Sequence, residues 1–325
     1  MKILVTGSEG SLCQNIIPKL IAKGHEVFGV DNLSRYKERR GIADPDTYQY
    51  RNVDLTHTNS TLAVFADFCP DVVIQAAAKI YGVGGFHKYG ADILSDDIAI
   101  QRNCLNGANV FDVKVFHYIS SSMVYESCPL DQPVREFEPD AWPAPVTYYG
   151  LSKYVGERMV HAYSEQYGQN YTIWRPFNII TPHEVSEGDL GTSHVFADFI
   201  KHIVIDKLKV IPIIGDGNQI RCFTWIDDVG NVIADNMETN HNGGMTFNIG
   251  NTNPITMLEL ASIIASEALD LGLISDSNIS FDSVKSYADD VRYRVPNIES
   301  SQRILGFYPT KTVRESVREC LRALV

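Results

Sequence analysis

No stretch of the chain approaches the ~20 apolar residues that a membrane-spanning helix needs. The opening run, Ile3-Leu4-Val5, is too short for the core of a secretory signal, so a cytoplasmic protein with no membrane partner is expected. Cysteine is scarce and scattered: the six lie at 13, 69, 104, 128, 222 and 320, with no Cys-x-x-Cys pair. That spacing excludes a disulfide framework and a zinc site, leaving reduced thiols and no metal. Positive charge is also short, with 28 Lys and Arg against 40 Asp and Glu and a net charge of −12. An acidic chain cannot neutralise a polyanion across a whole face, so no nucleic-acid partner is expected. A small anionic ligand held by a few local arginines stays possible. Internal repeats, linkers and low-complexity tails are missing as well. The 325 residues, 44% of them hydrophobic, then form one large or two closely joined domains.

What the chain does have is a repeating order of short apolar runs and helical patterns. Ile3-Leu4-Val5 breaks into Gly7-Ser8-Glu9-Gly10-Ser11-Leu12, and a helical pattern runs through Ile16-Ile17, Leu20 and Ile21. A second apolar run, Val27-Phe28-Gly29-Val30, ends at Asp31. This is a βαβ unit. Further buried strands are predicted at 72–74, 115–119 and 171–174, with helices around 91–110 and 149–167. Two-sided apolar strands alternating with helices predict an α/β fold, a doubly wound parallel sheet. After Pro176 the rhythm changes, with a strand at 209–214 and helices at 256–271 and beyond Thr312. Residues 1–176 are therefore read as a dinucleotide-binding domain. Residues 177–325 are read as mainly a smaller mixed α/β lobe, with some chain returning to the first domain.

The turn Gly7-x-x-Gly10-x-x-Cys13 lets backbone approach a pyrophosphate and aims a helix N-terminus at it. Asp31, at the end of the second strand, is placed to accept the adenosine ribose hydroxyls, or it is an ordinary helix cap beside the turn formers Asn32 and Ser34. A carboxylate there repels a 2′-phosphate and favours NAD, while Arg35, Arg39 and Arg40 keep NADP open. Tyr149-x-x-x-Lys153 puts both side chains on one helical face. The ammonium and a nicotinamide cation are expected to lower the Tyr149 pKa, so that Tyr149 can take a proton from an alcohol. The other reading is a surface pair. Ser120-Ser121-Ser122 follows the strand at 115–119, where a hydroxyl can hold a substrate oxygen or simply mark a polar strand exit.

Taken together, these segments resemble the extended short-chain dehydrogenase/reductases that modify nucleotide sugars, whose core is a Rossmann domain. The resemblance covers nearly the whole chain. It rests on Thr6-Gly7-x-x-Gly10, Asp31-Asn32, Asp54-Leu55, Ala76-Ala77-Ala78, Ser121, Tyr149 to Lys153 and Arg175-Pro176-Phe177-Asn178. It continues through Gly215-Asp216-Gly217, Arg221, Asp227-Asp228, Asn248-Ile249-Gly250 and Arg292-Tyr293-Arg294-Val295-Pro296. It implies Ser121, Tyr149 and Lys153 as the catalytic triad. It also implies an NAD site of Gly7, Glu9, Gly10, Ser11, Leu12, Asp31, Asn32, Asp54, Leu55, Ala76, Ala77, Ala78, Tyr149, Lys153 and Pro176. Ser122, Met123, Asn178, Arg221 and Arg294 would meet a GDP- or UDP-linked sugar. Asn178 could instead be a turn former, and the arginines surface ion pairs. A homodimer built on the helices near 91–110 and 149–167 is a further expectation from the resemblance.

Position 123 separates members of the family. Relatives that remove water across C5–C6 carry an acid pair just after the catalytic Ser or Thr. Here the pair is Ser122-Met123, and a thioether cannot transfer protons. The segments Ala76-Ala77-Ala78-Lys79…Gly82-x-Gly84-Gly85 and Pro182-His183…Thr192-Ser193-His194-Val195 resemble those of GDP-fucose synthases and GDP-mannose 3,5-epimerases. That match puts His194 on the synthase's acid/base histidine, or else in a loop bonding backbone, and puts Met123 on the partner cysteine. His87, expected in a loop after Gly85, is a further candidate to reach the sugar. The expected reaction is hydride transfer at sugar C4, by a 4-epimerase. A 4-dehydrogenase or a 4-keto reductase resembling GDP-fucose synthase is the alternative, and a non-enzymatic nicotinamide sensor is a third, disfavoured by the intact Tyr149 and Lys153.

Overall fold

The computed structural model describes residues 1–324 apart from 129–131, 185, 187, 239–243 and 288. The first half alternates as the apolar pattern requires: β1 (Lys2–Thr6), α1 (Ser11–Ala22), β2 (Glu26–Asp31), β3 (Gln49–Asn52), α2 (Thr58–Phe68) and β4 (Val72–Gln75). It continues through α3 (Val83–Lys88), α4 (Gly90–Val110), β5 (Val115–Ile119), α5 (Tyr148–Tyr167) and β6 (Tyr171–Pro176). Then come β7 (Ile179–Ile180), α6 (Val195–Phe199), β8 (Val210–Ile214), β9 (Ile220–Cys222), β10 (Thr224–Trp225) and α7 (Ile226–Asp235). The chain closes with β11 (Met245–Ile249), β12 (Pro254–Thr256), α8 (Met257–Asp270), β13 (Ser280–Val284), β14 (Tyr293–Arg294), α9 (Glu299–Leu305) and α10 (Val313–Arg322).

The central sheet has seven strands in the order β11-β6-β5-β4-β1-β2-β3, every pair parallel. This is a Rossmann-like α/β fold. β4 and β5 are buried at every residue because helices cover both faces, which is why they read as unbroken apolar runs. Strand order reverses beside β1, between β2 and β4, and that switch point opens a crevice at the carboxyl ends of the strands.

The other three sheets are small: β7 with β10, β12-β9-β14, and β8 with β13. A second apolar core joins them, in which Phe196, Phe199, Ile211 and Phe223 meet Leu260 and Ile264 of α8 and Val317 of α10. Both α8 and α10 begin with reciprocal capping boxes, Thr256 with Glu259 and Thr312 with Glu315. β11 leaves this half of the chain to extend the central sheet beside β6, and α7 packs on α1. Among the described residues no helix is long and apolar enough to cross a membrane.

Candidate active site

A cavity of about 620 Å³ lies at the switch point and is lined by both halves of the chain. Its first wall is the glycine turn. Gly7 has φ +67°, and a Cβ there would lie 2.9 Å from the Ala77 backbone, so glycine is needed for both torsion and approach. The Thr6 hydroxyl accepts the N–H groups of Ala76 and Ala77 and ties the ends of β1 and β4 together. Gly10 caps α1 without a side-chain hydrogen bond, leaving the first N–H groups of that helix for a ligand. Cys13, where the family's third glycine would stand, is fully buried with its thiol toward the Thr6 carbonyl, and burial pushes its pKa up. It packs as a small apolar residue.

Asp31 lies on the cavity wall and accepts backbone N–H groups from Glu9 and Leu33, at 3.1 and 2.8 Å. Burial is the main influence on its carboxyl and raises its pKa. Asn32, Asp54, Leu55, Ala76, Ala77, Ala78, Ser11, Leu12 and Pro176 line the same cavity. Glu9 does not. Its carboxylate turns into the protein, where it accepts the Tyr48 hydroxyl at 2.9 Å and pairs with Arg39 at 3.2 Å. The Glu9 side chain is taken up by this buried cluster and its N–H by Asp31. The arginines that kept NADP open are also engaged. Arg39 is held by Glu9 over the rings of Tyr48 and Tyr50, Arg40 by Ser11 and the His183 carbonyl, and Arg35 by the Ile80 carbonyl and Glu184. The glycine turn, the open helix end and Asp31 fit NAD.

The second wall is formed by the end of β5 and the start of α5. Thr147 caps α5 by accepting the Gly150 N–H, which turns Tyr149 and Lys153 inward. Ser121 and Tyr149 line the same cavity, and the Ser121 oxygen accepts the Met123 N–H at 3.2 Å. Lys153 is buried, donates to the Ile119 carbonyl at 3.1 Å and lies 5.8 Å from the centre of the Tyr149 ring. The expected lowering of the Tyr149 pKa is not found in the protein alone. Burial dominates and pushes it well above the ordinary tyrosine range, with Phe86 stacked on the ring at 4.6 Å. The groups that oppose this are the Ser121 hydroxyl and the cations Arg294 and Arg35. Burial also lowers the Lys153 pKa, opposed by Asp97 and Glu157.

The third wall belongs to the small sheets. Arg221 of β9 and Arg294 of β14 are register partners, so two cations stand side by side. They share little counter-charge. Asp290 lies 3.5 Å from Arg221, but its other oxygen already accepts from Gln219 and Ser286. Burial lowers the pKa of both arginines, and Arg294 pushes that of Arg221 down further, to about 9. The buried Arg294 Nε has no hydrogen-bond partner, and its Nη1 lies 2.7 Å from the Met123 sulfur. Glu126 and Asp290 are the carboxylates that act on Arg294, and an anion between the two guanidinium groups would add a hydrogen-bond acceptor. Ser122 and Asn178 also line the cavity, and Asn178 is the turn former as well: φ is +34° and its amide donates to the Cys222 carbonyl at 2.8 Å.

His194 borders the cavity at the start of α6, with Nδ1 2.6 Å from the Glu184 carboxylate. The alternative of a backbone-bonding loop histidine is not what is found. Glu184 is buried, yet His194 and Arg35 hold its carboxyl below the usual range. His87 is not in a loop and does not border the cavity. It lies in α3, stacked on Tyr287 at 4.1 Å and paired with Asp289 at 3.2 Å. The glycines around it are packing devices: the Gly82 and Gly84 N–H groups donate to Thr192 and Gly191. A Cβ on Gly82 would overlap the Ser193 carbonyl. Gly82→Ala should therefore push the His194 loop outward and cost about 1–3 kcal/mol. Thermal melting with the His194 imidazole followed by NMR checks this, and an unchanged melt would refute it.

Sequence reasoning missed Glu184, Asp290, Phe86 and Asp97. Asp97 is buried in α4, accepting from the Ser152 hydroxyl and the Lys79 N–H.

The family model described as "NAD dependent epimerase/dehydratase family" matches residues 3–250. A putative UDP-glucose 4-epimerase of Methanocaldococcus jannaschii is 31% identical, covering 82% of each chain. GDP-mannose 3,5-epimerase 1 of Oryza sativa subsp. indica is 28% identical over 98% of this chain and 80% of its own. Among solved structures, the Thermus thermophilus UDP-glucose 4-epimerase complex with NAD superposes with a TM-score of 0.85 at 22% identity, covering 100% of both chains. With a family model spanning most of its length, the chain belongs to the NAD dependent epimerase/dehydratase family and is an NAD-dependent epimerase or oxidoreductase.

Proposed function

We propose that the protein is a nucleotide-sugar 4-epimerase that keeps and recycles its own NAD. The observation that carries this reading is the arrangement across one cavity: Ser121, Tyr149 and Lys153 on one wall face the under-neutralised Arg221 and Arg294 on another. A nucleotide diphosphate between the arginines would bring its sugar up to Tyr149, because the diphosphate is the only strongly anionic part of such a donor. NAD+ bound on the Gly7–Gly10 turn would supply the hydride acceptor. Tyr149 takes the O4 proton, Ser121 fixes O4 by hydrogen bonding, and Lys153 holds its charge beneath the Tyr149 ring.

Met123 supports C4 chemistry over dehydration or double epimerisation, because a thioether against Arg294 moves no proton. A reading closer to GDP-fucose synthase draws on His194 alone. Its imidazole is paired with Glu184 at the cavity edge and could exchange a proton next to a 4-keto carbon. We place the substrate in the lobe of residues 177–325 and expect pairing of two copies through α4 and α5.

The test is a panel of UDP- and GDP-hexoses incubated with enzyme and no added dinucleotide, followed by chromatography of the products. Conversion of one donor into its C4 epimer supports the proposal. A requirement for added NADPH would refute it. Separately, Arg221→Met should weaken binding of the free nucleoside diphosphate roughly 10- to 100-fold, the effect of losing one charged hydrogen-bond donor. Calorimetry on UDP and GDP reads this directly.

A further inference from the structure

The loop that follows β2 lines the cavity with Ser34, Arg35 and Tyr36 and is fastened to other segments by two arginines. Arg35 Nη1 donates to the Ile80 carbonyl at 2.7 Å, and its Nη2 lies 3.6 Å from Glu184. Three segments that line the cavity therefore meet at one guanidinium: the loop after Asp31, the loop after β4, and the loop that carries Glu184. Arg40 makes a second tie behind the cavity lining, donating to the Ser11 hydroxyl at 3.0 Å and to the His183 carbonyl. Tyr36 lies against both guanidinium groups, at 4.0 Å from Arg40 and 5.5 Å from Arg35.

A dinucleotide with its ribose on Asp31, its pyrophosphate on Gly7 and Gly10 and its nicotinamide at Tyr149 would share the cavity with Arg35, Ile80 and Glu184. The planar fork suits the task, since one arginine can bond a carbonyl and a carboxylate on separate segments at once. Glu184 is well chosen as an anchor, because it is buried and its carboxyl is held in the charged form by its neighbours.

We propose that Arg35 and Arg40 form a strap that locks NAD into the protein. Release of the cofactor then requires breaking the bonds to Ile80, Glu184 and His183. The inference rests on the reading of an enzyme that keeps its cofactor, and it names the residues responsible.

The experiment loads the full-length protein with 13C-labelled NAD+, chases with excess unlabelled NAD+, and follows retained label by mass spectrometry. Wild type should lose label slowly. Arg35→Ala and Arg40→Ala should each release it about tenfold faster, and the double variant faster still. Glu184→Gln, which keeps both arginines but weakens the far anchor, should also speed release. Lys37→Ala, on the same loop but with its side chain bonded to the Ser34 carbonyl within that loop, should match wild type. Thermal melts confirm that each variant is folded. Slow release from wild type and every variant would overturn the strap and leave the cofactor-keeping reading intact. Fast release from Arg35→Ala alone, with Glu184→Gln like wild type, would assign Arg35 a direct cofactor contact and overturn the strap. Rapid exchange in wild type would overturn both.

Discussion

Tyr149→Phe should lower turnover by a factor of about 10³, within the 10²–10⁴ that a positioned acid/base group contributes, while leaving NAD bound. The substitution removes one oxygen. The ring remains stacked on Phe86 and the fold is undisturbed. What is lost is the hydroxyl that takes the sugar O4 proton in the proposed reaction. Mass spectrometry of the denatured variant should still find a full complement of dinucleotide. A parallel titration tests the electrostatics. In the protein alone burial holds the Tyr149 hydroxyl above the ordinary tyrosine range, so its tyrosinate should form only in strong alkali. A bound nicotinamide cation favours the charged form and should bring that ionisation to lower pH. The wild type minus Tyr149→Phe difference absorbance, with and without NAD+, reads the shift. Ionisation at the same pH in both would contradict the account.

The largest loss of stability is expected one helical turn beyond the site. Glu157 and Arg175 form a bidentate pair at 2.8 and 2.6 Å, with both side chains almost completely buried. The Ser120 hydroxyl donates to Glu157 at 2.5 Å, and Arg175 also donates to the Tyr125 hydroxyl and the Glu136 carbonyl. The Tyr125 hydroxyl then donates to Asn248 of β11. This network joins the segment after β5, which leads into Ser121, to the helix carrying Lys153. Glu157→Ala strands a charged guanidinium in the interior, which costs about 3–5 kcal/mol. The melting midpoint should fall by roughly 5–15 °C. Arg158→Ala, whose pair with Asp140 is exposed, should shift stability by less than ~1 kcal/mol. Equal melts for the two variants would show that the buried network does not hold the site together.

The parts of the site that were legible in the sequence are those written in local pattern. The glycine turn, Asp31 at a strand end and the four-residue spacing of Tyr149 and Lys153 depend on neighbours a few positions away. The structure puts these residues on one cavity. Helices α4, α5 and α8 begin and end within a residue or two of the predicted spans, and α10 begins just after Thr312, for the same reason. Effects set by tertiary packing were not legible. The upward shift at Tyr149 comes from burial, with Phe86 on α3 covering the ring, and nothing near position 149 announces that. Glu184 pairs with His194 and Arg35, ten and 149 residues away, so its role follows only once two loops cross. Glu9 was assigned from its place in the turn, but its direction is set by Tyr48 and Arg39. The glycines at 82 and 84 have a backbone cause, the close approach of residues 191–193, rather than a ligand.

The central claim is hydride transfer at C4 with the cofactor regenerated in every turnover. The most direct test incubates the enzyme, without added dinucleotide, with a UDP- or GDP-hexose deuterated at C4. The expected result is the C4 epimer with deuterium retained at C4, no accumulation of deuterated NADH, and no solvent hydrogen at C3 or C5. Stoichiometric deuterated NADH with a 4-keto sugar, or solvent hydrogen appearing at C3 or C5, would contradict it.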